Sequence, residues 1–207
     1  MSLATGCLVI AGPSGVGKSS MIGGAMELNP DWIFSISATT RTIREGETDG
    51  REYHFLNPEQ FQQKIADGEF LEYARVYGNF YGTPVSELDR AASLGKNLLI
   101  EVDTVGCLSI RALRPEIPLV AILPPSITEL KRRLSDRGTE SEESLDLRFA
   151  SIIAELQRMR TFDFAIINDD LEMAKKQLLD LMTISEQGQI FAEAKVDRLL
   201  KEVGGSN

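Results

Sequence analysis

The sequence is poor in the residues that build disulfide frameworks, metal clusters and imidazole chemistry. Its two cysteines, Cys7 and Cys107, are too few and too far apart for a disulfide framework or a ligand pattern, so both are expected as reduced residues in or near the core. The single histidine, His54, lies in a short strand-like stretch where packing or surface exposure is its expected role. No apolar run approaches the roughly 20 residues that span a bilayer. Met1 to Gly6 carry no basic segment ahead of an apolar one, so the expected location is the cytoplasm. Basic residues are in the minority: 22 Lys and Arg face 31 Asp and Glu, for a net charge of −9. Nucleic acid or an anionic membrane surface would need a basic face, and both are excluded as expected partners. Any anion bound here has to be met by local clusters of Arg and Lys.

What is present is an ordinary globular composition over 207 residues, enough for one domain with subdomains, and one sharply defined stretch. Gly12-Pro13-Ser14-Gly15-Val16-Gly17-Lys18-Ser19 follows the apolar run Cys7 to Ala11 and precedes a helical segment. It fits the phosphate-loop pattern G-x-x-x-x-G-K-[ST] in its strand, loop and helix setting. Glycines let successive backbone N–H groups converge on phosphate oxygens at a helix N-terminus, where the dipole also favours an anion. In that pattern Lys18 reaches the outer phosphates and the Ser19 hydroxyl sits on Mg²⁺.

Further along, 20–28 reads as a helix, 32–37 as a strand and 38–47 as a polar loop. A short strand over 53–56, a helix over 58–66 with Pro58 at its first position, and two β-like pieces at 70–76 and 79–83 make a small β-rich insertion. A helix over 85–94 closes it. The apolar stretches at 97–103, 118–123 and 164–168 read as buried parallel strands, the first ending in Asp103. Strands alternating with helices imply a parallel sheet covered on both faces. Residues 126–160 are expected to be helical with a break at Arg137-Gly138-Thr139, and Leu145, Phe149, Ile152, Ile153, Leu156 and Met159 form a core-packing stripe. One helix to about Met182 and a weaker amphipathic one through Leu199 and Leu200 follow, the latter expected to fold back on the core, with an oligomer contact as the alternative. Nothing in the sequence separates a monomer from a homodimer.

A phosphate loop alone fits a switch GTPase, a motor, a transporter or a small-molecule kinase. No N-K-x-D tetrapeptide for reading guanine in a GTPase occurs, and the chain is short for a motor. A second cluster, Ser37, Arg41 and Arg44 in one loop with Tyr53, Glu72, Tyr81 and Thr83 across the insertion, is built for another anion. Two arginines three apart can fork onto a phosphate, and tyrosine hydroxyls can complete its shell.

These residues, with 35–41, Gly50 to Phe55, Phe70-Leu71-Glu72, 78–83 and 137–143, resemble guanylate kinase in order and spacing from about Gly6 to Met182. The resemblance implies an α/β fold: a doubly wound phosphate-loop kinase core (1–36, 85–125 and 161–207), a GMP-binding insertion (37–84) and a helical lid with its flanking helices (126–160). It implies ATP and GMP, with dGMP, as substrates and Mg²⁺ with the ATP. Glu72 would accept the adjacent N1–H and 2-amino donors of guanine, with Ser37, Thr83 and Asp103 helping to hold the base. Arg41, Arg44, Tyr53 and Tyr81 would grip the GMP phosphate. Lys18, Arg41, Arg137 and Arg148 would stabilise the transferring phosphoryl group, and Ser20 and Asn168 would join the loop residues around ATP. Asp103 has a second reading, as a strand-end carboxylate orienting a Mg²⁺-bound water. The family continues that strand with an I-D-W-Q-G-A-like run, where this chain has Val102-Asp103-Thr104-Val105-Gly106-Cys107; the aspartate and glycine are kept, the Trp and Gln are not. Within the same subfamily a ribose-bisphosphate kinase would not need Glu72 with Ser37. The related non-catalytic binding modules typically have a degraded phosphate loop, which is intact here.

Overall fold

The computed structural model of the chain describes residues 6–76, 78–135, 142–183, 197 and 199–201, with backbone alone for 142–150. Five strands form a parallel sheet: β1 (Cys7–Ala11), β2 (Trp32–Phe34), β7 (Asn97–Glu101), β8 (Leu119–Leu123) and β9 (Phe164–Ile167). Their order is β2-β7-β1-β8-β9, so β1 and its following loop lie at the centre. Burial of both faces explains the unbroken apolar runs. Cys7, Val9 and Ala11 point to one side and Leu8 and Ile10 to the other, and each set meets its own helices.

On one side, α1 (Lys18–Leu28) and α7 (Leu171–Thr183) cover the sheet with Met21, Ile22, Ala174 and Leu178. The Trp32 indole donates to the Met182 carbonyl at 3.2 Å and ties the last turn of α7 to the sheet edge. On the other side lie α3 (Ser86–Ser93), α4 (Thr104–Leu113), α5 (Ile127–Ser135) and α6 (Glu142–Met159). Ile152, Leu156 and Met159 are buried there as the helical stripe predicts; Leu145 and Phe149 fall outside the described side chains. Leu199 is buried against the same core and Asp197 pairs with Arg160 at 2.7 Å, so the described part of the tail does fold back. Both cysteines are free and buried, and burial pushes the Cys7 thiol up to about 12 and raises that of Cys107 as well.

A second, four-stranded sheet has the order β4-β3-β6-β5, from β3 (Ala38–Thr39), β4 (His54–Phe55), β5 (Phe70–Val76) and β6 (Asn79–Pro84). The pairs β3·β6 and β5·β6 are antiparallel, with Glu72 opposite Thr83. Against it packs α2 (Pro58–Ala66), whose Asn57 accepts from the Gln60 amide while Gln60 returns a bond to the Asn57 amide. Phe61 is fully buried and stacks on Phe70 and Phe80, with ring centroids 4.5 and 5.3 Å away.

Three local readings are corrected. Ala38–Thr39 is a strand rather than loop, because Phe80 supplies carbonyl partners to both Thr40 N and Thr39 Oγ1. The strand read as 32–37 stops at Phe34, because the Ile36 amide turns away to the carboxylate of Glu87. The strand read as 97–103 stops at Glu101, because Asp103 caps α4, a helix the sequence reading left unassigned. Among the described residues no helix is long and apolar enough to cross a membrane.

Phe61 carries most of the small core of the second sheet. Phe61→Ala is expected to cost about 3–5 kcal/mol in urea unfolding; a loss below about 1 kcal/mol, the scale of ordinary surface changes, would show that this cluster is not a core.

Candidate active site

The loop between β1 and α1 lies at the C-terminal edge of the parallel sheet, where ligands of open α/β sheets bind. Its fit is steric as much as conformational. A Cβ on Gly12 would stand 2.6 Å from the Ile122 carbonyl oxygen of β8. Gly17 takes φ +91°, a left-handed conformation that side chains avoid, and a Cβ there would stand 2.5 Å from the Asn168 amide nitrogen. The next residue, Lys18, starts α1, two residues earlier than the sequence reading placed it. Its ammonium donates to the carbonyls of Gly12 at 2.6 Å and Pro13 at 3.2 Å, and lies 3.9 Å from Glu101 Oε1. Ser14, Ser19 and Ser20 are exposed at the same end of α1.

Asn168, expected beside ATP, is only 4 % exposed and lies against the loop. Its side-chain amide donates to the Val16 carbonyl at 2.7 Å, its own N–H bonds Leu123 O, and Arg133 donates to its carbonyl. It braces the loop backbone.

Facing the loop is a cleft of about 920 Å³ whose walls include Gly12, Ser14 and Lys18 on one side and Ser37, Tyr53 and Asp103 on the other. Arg41 lies behind Tyr53 of the second wall, held by a fork onto Glu47, with Nη1 and Nη2 donating at 3.0 and 2.8 Å, and by the Thr42 carbonyl. The guanidinium lies over the rings of Tyr53 and Phe55, 5.3 and 5.6 Å from their centroids, and Tyr53 packs edge-on against Tyr81. Glu47 also accepts the Arg44 amide at 2.8 Å, so one carboxylate shapes the whole turn. Its bonds from Arg41 and then Arg44 hold it below the usual carboxylate range. No role was read for Glu47 from the sequence; the three-residue spacing of Arg41, Arg44 and Glu47 was the available signal.

Glu72 and Thr83 face each other across β5 and β6, and the Thr83 hydroxyl donates to Glu72 Oε1 at 2.7 Å. Burial raises the pKa of Glu72, and the nearby charge of Asp103 adds to that. Asp103 accepts the Gly106 amide at 2.7 Å as the cap of α4. The strand-end carboxylate beside Lys18 is therefore Glu101, which the sequence reading passed over; burial raises its pKa and Lys18 opposes the rise. Glu155 of α6 also lines the cleft, its pKa raised by burial and by Asp103 against the pull of Lys18. It sits inside a core-packing stripe, so no sequence signal marked it. His54 is half-exposed, 3.4 Å from Glu87, away from these groups. Arg137 lies outside the described residues, and Arg148 is on α6 with its side chain outside them.

The arrangement offers two anion-receiving walls, one built on backbone amides and an ammonium, the other on guanidinium and phenol groups, with a buried carboxylate pair beside the second. Residues 5–185 match the family model of guanylate kinase. The guanylate kinase of Clostridium perfringens strain 13 is 42% identical over 192 residues, covering 93% of this chain and 86% of that one. That of Pseudomonas fluorescens is 39% identical over 206 residues, covering 99% and 100%. The crystal structure of guanylate kinase from Anaplasma phagocytophilum superposes with a TM-score of 0.66 at 25% identity, covering 98% of this chain and 97% of that one.

Removing the Asn168 amide leaves the buried Val16 carbonyl without its partner. Asn168→Ala is expected to lower stability by about 1–3 kcal/mol in chemical denaturation; an unchanged midpoint would show that the loop does not depend on this brace.

Proposed function

The chain belongs to the guanylate kinase family, and from that premise we propose that it transfers the γ-phosphoryl group of ATP in line to GMP or dGMP, releasing ADP with GDP or dGDP. The observation that carries the reading is the single cleft with Lys18 and its loop on one wall and Ser37, Tyr53 and Asp103 on the other. That arrangement supports a donor phosphate and an acceptor phosphate meeting in one cleft.

On the donor side, the loop's backbone N–H groups, which Pro13 lacks, and the Lys18 ammonium receive the ATP phosphates, with Ser20 at the helix N-terminus and Asn168 keeping the loop in shape. Lys18 exchanges its carbonyl partners for phosphate oxygens. The oxygen donors at this wall suit Mg²⁺, a hard cation that keeps several waters and shares its shell with phosphates. Ser19 would hold it directly and Glu101, beside Lys18, would accept from one of its waters; when bound it offsets phosphate charge. Glu101 takes that second role better than Asp103, whose carboxylate is engaged at α4 and lies near Glu72.

On the acceptor side, Glu72 accepts the N1–H and 2-amino groups of guanine, while Thr83 fixes its other edge and Ser37 and Asp103 complete the base site. Adenine presents an acceptor at N1 and is repelled. Glu47, Thr42 and Tyr81 engage Arg41, and a guanidinium has five N–H donors, so not all of them are taken before the GMP phosphate arrives. Arg44, Tyr53 and Tyr81 complete that shell. The phosphate of GMP has a second pKa near 6, so it attacks as an anion and needs no base. Charge on the moving phosphoryl group falls to Lys18, Arg41 and the lid arginines Arg137 and Arg148, whose closure also excludes water. The buried thiols and the acidic surface fit a cytoplasmic enzyme, working as a monomer or a homodimer.

A coupled assay of ADP release from ATP with Mg²⁺ tests the reading against GMP, dGMP, AMP, UMP and ribose 1,5-bisphosphate. Turnover is expected with the two guanine nucleotides; turnover with the bisphosphate instead would make the chain a sugar-phosphate kinase, and none at all a binding module. Glu72→Ala is expected to remove most of a roughly 10⁴-fold preference for GMP over AMP while the KM for ATP stays unchanged. If selectivity survives, Glu72 does not read the base. Lys18→Ala is expected to lower kcat by about 10²–10³-fold with GMP binding still measurable by calorimetry; near-native turnover would remove the loop from the chemistry.

A further inference from the structure

The first turn of α4 contains a glycine that the helix itself does not require. Gly106 is the third residue after the Asp103 cap, its backbone is helical, and it is buried. Within a helix, glycine is less favourable than alanine by about 0.5–1 kcal/mol. A residue that breaks a local preference in this way points to a constraint from elsewhere in the fold.

That constraint is Glu72. A Cβ on Gly106 would stand 3.2 Å from Glu72 Oε2, 3.3 Å from Glu72 Cγ and 3.1 Å from Val102 Cβ. Such contacts are tighter than nine in ten that real Cβ atoms make. Glu72 cannot simply withdraw. Its strand is paired with β6, and its Oε1 accepts from the Thr83 hydroxyl at 2.7 Å, with Thr83 itself fully buried. To make room, the carboxylate would have to shift by a few tenths of an ångström against its bond from Thr83.

We propose that Gly106 is a specificity-determining positioning residue: the absence of a side chain there lets the Glu72 carboxylate rest against α4 in the plane that accepts the two guanine donors. One side of the carboxylate is set by a hydrogen bond from Thr83, the other by contact with the bare backbone of Gly106. The inference rests on the guanine-reading role of Glu72 and adds the residue that holds it in place.

The test is a double-mutant cycle of Gly106→Ala and Glu72→Ala, following KM and kcat for GMP, the GMP-to-IMP preference, KM for ATP and the melting temperature. IMP lacks the 2-amino group. Misplacing a recognition group by about 1 Å costs up to about 10²-fold, so Gly106→Ala alone is expected to lower kcat/KM for GMP by about tenfold or more, mainly through KM. The preference over IMP shrinks and KM for ATP is unchanged. In the Glu72→Ala background the same substitution should cost nothing further. An equal loss in both backgrounds, in turnover or in melting temperature, traces the cost to Val102 and overturns the proposal, as does an unchanged KM for GMP in Gly106→Ala. Absence of GMP turnover in the unaltered chain overturns the functional reading and this inference together, whereas turnover with additive losses overturns this inference alone.

Discussion

Repulsion between two phosphate-bearing ligands is the constraint on which the site depends, and this chain meets it while carrying a net charge of −9. Cations are therefore placed singly, and the two best-defined ones each come with a carboxylate. Lys18 lies beside Glu101, and Arg41 is forked onto Glu47. A half-buried ammonium or guanidinium without a partner would pay a desolvation cost that nothing offsets. The paired carboxylate meets that cost in the free protein, before any phosphate is bound. Lys18 lines the cleft, and Arg41 lies against Tyr53, which lines it too.

The carboxylates around the cleft differ in environment, and their roles differ accordingly. Glu47 accepts from Arg41 and Arg44 in an open loop and is held firmly ionised, as a shaping group should be. Glu72 is buried near Asp103, with its partners supplied by Thr83 and a pKa raised by burial. Glu101 stands between these cases, raised by burial and drawn down by Lys18.

The two walls are brought face to face by short connections between the sheets. Glu87, only 1 % exposed on α3, accepts the Ile36 amide at 2.8 Å and a fork from Arg90, whose Nη2 also donates to the Phe34 carbonyl. The chain leaving β2 and the helix following β6 are thus clamped at one carboxylate. Ser37 and β3 start immediately beyond the clamp, so the acceptor wall takes its position from a buried ion pair rather than from continuous sheet.

The phosphate loop and the apolar strands were legible in the sequence because each depends on local pattern: glycine spacing and unbroken β-branched runs. The order of the strands, the end of β7 at Glu101 and the existence of α4 were less so, since they turn on which backbone amides find partners. Asp103 shows the difference. In sequence it ends an apolar run; in the fold it caps a helix, and Glu101, two residues earlier, is the carboxylate that meets Lys18. Asn168, expected beside ATP, braces the loop instead, and Gly106 carried no expected role, because the Val16 carbonyl and the Glu72 carboxylate they meet lie 152 and 34 positions away along the chain. The sequence by itself determined which chemistry is on hand, since side-chain type and local backbone preference are properties of neighbours in the chain. Which carboxylate restrains which cation, and which glycine makes room for which side chain, was decided only by tertiary structure, because contacts at a few ångströms follow packing and not chain order.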